Sequence, residues 1–150
     1  MSAPIRLAFD VACSSEHAFT VWTEAIGTWW PPDHTVTGQP DLQVVLQGAV
    51  GGRIFERTAD GAEHDWGVVT VWRPPSQLAY RWHLRRDPAD ATEVEIRFVD
   101  LGPAATRVEI EHRGWDRPAP DREEWRQRNV DGWDTLLPHY RAALTGGDHR

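Results

Sequence analysis

Apolar and polar residues alternate from the start of the chain. Ile5, Leu7, Phe9 and Val11 share one phase and Arg6, Ala8 and Asp10 the other, which predicts a half-buried strand that stops at Cys13. The period then lengthens. Ser14 or Ser15 can cap a helix with Glu16 in its first turn, and Ala18, Phe19, Trp22 and Ile26 recur at helical spacing. Gly27 loosens this helix and Trp29-Trp30-Pro31-Pro32 must end it, because proline cannot continue a helix and disfavours helical backbone in the residue before it.

Six further strands are predicted over 42–47, 53–58, 65–73, 77–85, 92–101 and 106–113, separated by turn-forming segments such as Asp60-Gly61, Pro74-Pro75 and Gly102-Pro103. Links this short make neighbours antiparallel, so the segment is a meander. Its last three strands also alternate in charge. A symmetric hairpin closed by 87–90 would set Arg85 opposite Glu93 and His83 opposite Glu95, leaving one sheet face in water. The inward face of 65–73 stays open, since Trp66, Val68 and Trp72 on one phase compete with Val69 and Val71 on the other. Past Pro118 and Pro120 the stripe Trp125, Val130 or Trp133, Leu137, Tyr140 and Leu144 predicts one long helix over 121–144, with Gly132 and Pro138 as weak points.

The elements make an α+β fold of about seven antiparallel strands, two short helices after the first, and a long C-terminal helix that covers the apolar face of the sheet. At 150 residues and 17.1 kDa the chain is expected to be a single domain over 1–150. One cysteine, Cys13, gives neither a disulfide framework nor a cysteine-based zinc site. With no signal pattern and no apolar run of membrane length, the expected location is cytoplasmic, without membrane insertion. A formal net charge of −7 disfavours nucleic acid and anionic lipid as partners. Nine tryptophans are the unusual feature. A curled sheet closed by one helix leaves space between them, and indoles make rigid apolar walls with one donor each.

Several short motifs in order point to a known family: Trp29-Trp30-Pro31, Gly51-Gly52-Arg53 leading to Glu56-Arg57, Asp60-Gly61 ahead of Trp66-Gly67, Trp72-Arg73-Pro74-Pro75, Glu111-His112-Arg113-Gly114-Trp115, and Gly132-Trp133. Across nearly the whole chain the sequence resembles the Aha-like homologues of the activator of the heat-shock-protein-ninety chaperone ATPase, within the SRPBCC, START and Bet v allergen superfamily. The resemblance implies a helix-grip fold with an internal pocket under the long helix, used by various members for lipids, polyketides or other hydrophobic molecules. The expected function is therefore binding of a small hydrophobic ligand by a non-catalytic or only weakly catalytic module, without a cofactor. The expected ligand-binding residues are Trp30, Phe55, Trp66, Trp72, Tyr80, Trp82, Phe98, His112, Trp115 and Trp133.

Two other readings compete. His112 continues the inward phase of Val108 and Ile110, and Glu56 that of Ile54, so the pair could serve as general acid and base in an enzyme of the polyketide-cyclase or hydrolase type. The plainer alternative is a core histidine and a carboxylate held by structural partners. If Trp29, Trp30 and Trp115 instead form an exposed patch, the chain could dock on a chaperone or pair as a homodimer. No metal is expected, since Glu63-His64-Asp65 and Asp33-His34 place neighbouring side chains on diverging faces. Gly51-Gly52 lacks the lysine and helix of a phosphate loop. Gly132-Trp133 is expected to form the roof of the pocket, the glycine sparing a collision and the indole pointing at the sheet.

Overall fold

The computed structural model describes residues 3–84, 86–115 and 121–146. Strand β1 (Ile5–Val11) is followed by helices α1 (Ser15–Thr23) and α2 (Ile26–Trp29) and a 3-10 turn, Pro32–His34. Strands β2 (Gln43–Leu46), β3 (Arg53–Arg57), β4 (Glu63–Arg73), β5 (Gln77–Trp82), β6 (Thr92–Gly102) and β7 (Ala105–Arg113) then run as a meander into α3 (Arg122–Gly146). The seven antiparallel strands lie in the order β1-β7-β6-β5-β4-β3-β2. β1 thus pairs with the end of the meander while β2 lies at the far edge, and the connection between them spans the sheet. α1 and α2 lie in that connection. Their buried faces, Ala18, Phe19, Trp22, Ile26 and Trp29, join Trp125, Trp133, Leu136, Tyr140 and Leu144 of α3 in one core over the sheet. The fold is α+β, and it encloses this core on one side of the sheet only.

Local chemistry accounts for the boundaries. The Ser14 hydroxyl accepts from the His17 N–H and starts α1. Trp30, extended ahead of Pro31, ends α2. On α3, Trp125, Trp133, Tyr140 and Leu144 are buried as the predicted stripe requires, while between them Leu136 takes the buried place expected for Leu137, which is only half-buried. The Tyr140 hydroxyl donates to the Ala18 carbonyl at 2.8 Å and fastens α3 to α1.

Two bulges settle the inward face of β4. Ile54 pairs with Gly67 but Phe55 with Asp65, which leaves Trp66 as an extra residue, and Val69 pairs with Tyr80 but Val71 with Ala79, which leaves Thr70. Each bulge shifts the alternation by one residue, so Trp66 and Val69 are both buried while Val68 is 38% exposed. Neither of the two expected phases holds along the whole strand. Gly67 lies where a Cβ would stand 2.0 Å from the Arg81 carbonyl oxygen, so the bulge requires glycine there.

The β5–β6 register corrects the expected hairpin. Arg81 faces Glu93 and Ala79 faces Glu95, because β5 ends at Trp82 and the connection is longer than four residues. The His83 N–H donates to the Trp66 carbonyl rather than to β6, and Asp87 caps a 3-10 turn opened by Pro88. Arg85, expected opposite Glu93, lies outside the described residues. The outer face is charged as expected. Arg113 spans Glu93 at 2.8 Å and Glu95 at 3.0 Å, and Arg97 meets Glu95 at 2.8 Å.

Candidate functional site

A cavity of about 520 Å³ opens between the sheet, the first half of α3 and the segment after α2, a volume suited to a drug-sized molecule. Trp30, Tyr80, Trp82, Leu84, Trp125, Trp133 and Leu136 supply its apolar wall, and Asp33, Arg86, Arg128 and Asp131 bring charge to it. Trp30 is turned over the sheet by the bend before Pro31, and its indole N–H donates to the His34 carbonyl at 2.9 Å. Its ring lies 5.1 Å from that of Trp66 and 5.8 Å from that of Trp82. Arg86 lies 3.8 Å from the centre of the Trp125 ring and reaches Asp121 at 2.8 Å, tying the β5–β6 connection to the start of α3.

A directed chain of hydrogen bonds fixes two of the wall residues. The Trp133 Nε1–H donates to His112 Nδ1 at 3.1 Å, so the proton of the neutral ring is on Nε2, 2.7 Å from the Thr92 hydroxyl. Thr92 in turn donates to the Trp82 carbonyl at 3.3 Å. Burial, with a smaller contribution from the Arg126 charge, pushes His112 down to about 3. The ring is neutral at physiological pH and both nitrogens are occupied. Trp115 packs behind it, its indole N–H donating to the His112 carbonyl at 2.9 Å and its ring lying 5.0 Å from Trp125.

Glu56 is fully buried and equally committed. One carboxylate oxygen accepts from the Val36 N–H at 2.6 Å and the Trp66 indole at 2.8 Å, the other from the Thr37 N–H at 3.0 Å and the Thr37 hydroxyl at 2.8 Å. Burial alone would raise this carboxyl, but the four donors outweigh it and hold it below the usual carboxylate range. Glu56 and His112 both point to the covered face of the sheet, yet neither lines the cavity, and in each the lone pairs a proton transfer would need are engaged.

The ten expected ligand-binding residues fall into three groups. Trp30, Tyr80, Trp82 and Trp133 line the cavity. Trp66, His112 and Trp115 stand one layer behind it. The remaining three lie elsewhere. Trp72 and Phe98 pack on Phe19 at 5.1 and 5.3 Å, and Phe55 is on the other face of the sheet under Arg53 and Arg57. Trp125, Leu84, Leu136 and Arg86 were not anticipated, although Trp125 was on the predicted apolar stripe. At Gly132 an added Cβ would lie 3.8 Å from the His34 ring, an ordinary contact, so the expected clearance is not what this glycine provides.

The surfaces behind the competing readings are also placed. Trp29 and Trp115 are buried and Trp30 is half-buried against Trp66 and Trp82, so these rings do not form an exposed patch. Arg53 meets Glu63 at 3.1 Å and Asp65 at 2.6 Å, and among the described residues no three metal-ligating side chains converge. A hollow of about 350 Å³ on the outer face carries Arg6, Glu95, Arg97, Glu109 and Glu111, with Arg6–Glu111 and Arg97–Glu95 ion pairs. No described helix is long and apolar enough to cross a membrane.

Comparison with known proteins adds five findings. The family described as activator of Hsp90 ATPase homolog 1-like protein matches residues 12–144. An anthrahydroquino-γ-pyrone synthase, solved as a complex, is 36% identical over 73% of this chain and 75% of its own, with a TM-score of 0.54. CalC, a self-sacrificing resistance protein from Micromonospora echinospora, is 29% identical over 99% of this chain and 98% of its own, with a TM-score of 0.76. An HSP90 activator from Plasmodium falciparum, 17% identical over 96% of each chain with a TM-score of 0.67, shares the fold. None of the curated proteins matches.

Proposed function

We propose that this chain, which belongs to the family of activator of Hsp90 ATPase homolog 1-like proteins, binds a small, largely apolar, flat molecule in the cavity under α3. The observation that carries the reading is the aromatic wall itself. Trp30, Tyr80, Trp82, Trp125 and Trp133 surround about 520 Å³, and the rings of Trp133 and Trp30 are each held by an indole hydrogen bond, to His112 Nδ1 and to the His34 carbonyl. Rings preset in this way give up little conformational freedom on binding, which favours affinity for a planar partner. Similarity to a synthase named for a fused-ring product supports a ligand of this shape.

A second reading is an enzyme of the cyclase type, favoured by the same relative at 36% identity. In that case the saturated partners of His112 and Glu56 argue for a contribution from positioning, with the cavity holding a reactive chain folded, rather than for proton transfer by these two groups. Native mass spectrometry of gently purified protein, followed by titration with the apolar dye 1-anilinonaphthalene-8-sulfonate, tests the first reading. One equivalent of a retained small molecule, or a saturable dye site displaced by flat aromatic compounds, is expected. Failure to retain any small molecule combined with no saturable dye binding would overturn it.

A further inference from the structure

The wall of the cavity contains a polar group that the packing of the core does not use. Tyr80 is 3% exposed, on the covered face of β5 between Leu78 and Trp82, and its ring lies 5.4 Å from that of Trp82. Among the described residues no protein acceptor receives its hydroxyl hydrogen, and the side chain lines the cavity. The indole nitrogen of Trp22, fully buried on α1, closes no hydrogen bond of normal geometry. The group it approaches is the Tyr80 hydroxyl, whose ionisation is opposed by burial first and favoured by the Trp22 N–H second. The phenol hydrogen thus has no acceptor in the protein among the described residues and is available to one brought into the cavity.

The direction follows from the donors. Trp22 N–H can only donate, so it cannot take the phenol hydrogen, which is left for an acceptor in the cavity. Most neighbouring indoles have no such capacity. Those of Trp30, Trp66, Trp115 and Trp133 donate to the His34 carbonyl, Glu56, the His112 carbonyl and His112 Nδ1. We infer that the Tyr80 hydroxyl is the hydrogen-bond donor by which this cavity selects a planar aromatic molecule bearing a carbonyl oxygen. The inference rests on the cavity being a ligand site and adds what it reads on the ligand.

The test uses two tricyclic probes that differ only in the acceptor, 9-fluorenone and fluorene, titrated into the whole chain and into Tyr80→Phe. The wild-type chain should bind fluorenone about 10-fold more tightly than fluorene, the equivalent of about 1.4 kcal/mol, and Tyr80→Phe should abolish the difference by weakening fluorenone alone. Equal affinity of the wild-type chain for both probes overturns the inference and leaves ligand binding standing. If neither probe binds, the inference falls, and the dye titration described above decides whether the ligand site falls with it. A measurement on the wild-type chain covers a variant that does not fold. The infrared carbonyl stretch of bound fluorenone should lie below its value in cyclohexane, and an unshifted band overturns the assignment.

Discussion

The indole N–H of Trp133 donates to Nδ1 of His112 across 3.1 Å, so the histidine that sequence marked as a candidate acid or base is the acceptor that holds a wall of the cavity. Its other nitrogen faces Thr92, which donates to the backbone of Trp82. The chain of bonds joins α3 to β7, β6 and β5, and it ties the indole of Trp133 to the backbone of Trp82, two residues that line the same space.

Replacing Trp133 with Phe keeps most of the ring and removes the donor, which leaves the buried Nδ1 without a partner. A loss of about 1–3 kcal/mol in denaturant unfolding is expected. Trp133→Ala should cost more, approaching the roughly 3–5 kcal/mol of a large core truncation less whatever part of the ring already borders open space. Equal stability of Trp133→Phe and wild type would show that the bond to His112 contributes nothing.

Stability should fall on acidification before the carboxylates titrate. Unfolded His112 takes up a proton below about 6.5, while folded His112 does so only near 3, so between these values the unfolded chain binds more protons. The contribution is complete above pH 6.5 and declines by up to about 1.4 kcal/mol per pH unit as the pH drops toward 3. Urea unfolding at steps between pH 6.5 and 5 measures the slope, and His112→Gln should flatten it. An identical slope in the variant would contradict the assignment of His112 as a neutral structural acceptor.

Glu56→Gln should be costly despite its near-identical shape. The carboxamide turns one carboxylate oxygen into an NH2 whose donors face either the Val36 and Trp66 N–H groups or the Thr37 N–H and hydroxyl. A loss of about 2–4 kcal/mol is expected, with faster amide exchange at Val36 and Thr37. In the wild type the Glu56 contribution is present above the ordinary carboxyl value and lost as pH falls through its lower folded value. Full stability and unchanged exchange in the variant would refute the anchoring role.

Arg86 closes the side of the cavity by lying on Trp125 and pairing with Asp121, a combination of ring contact and partly exposed ion pair. Arg86→Met should lower stability by no more than about 2 kcal/mol while raising the dissociation rate of a bound dye. Stopped-flow displacement reads that rate. An unchanged rate would mean that Arg86 does not guard the opening.

Much of this arrangement was legible in the chain, and the parts that were not have identifiable causes. Strict alternation gave β1, β6 and β7 because those strands keep one face wet and one buried, and proline placement gave the turn at Trp30. β4 was ambiguous because two bulges break its period, a feature decided by its neighbours rather than by its own residues. Glu56 could be recognised as inward, but its partners lie 19 and 20 positions away in irregular chain. Arg86 and Asp121 are 35 positions apart and carry no shared pattern, so the closure they form could not be read from spacing. The tryptophans were identifiable as a group, while their division between cavity wall and packed core depends on which ring finds a neighbour behind it.

The cavity as a ligand site is tested most directly by the indole N–H signals of the nine tryptophans in a nitrogen-labelled sample titrated with 1-anilinonaphthalene-8-sulfonate. The account predicts saturable shifts, with one dye per chain, concentrated at Trp30, Trp82, Trp125 and Trp133, and little change at Trp72, which packs on Phe19 away from the cavity. Shifts that fail to saturate, or that centre on Trp72 while the four wall indoles stay in place, would contradict it.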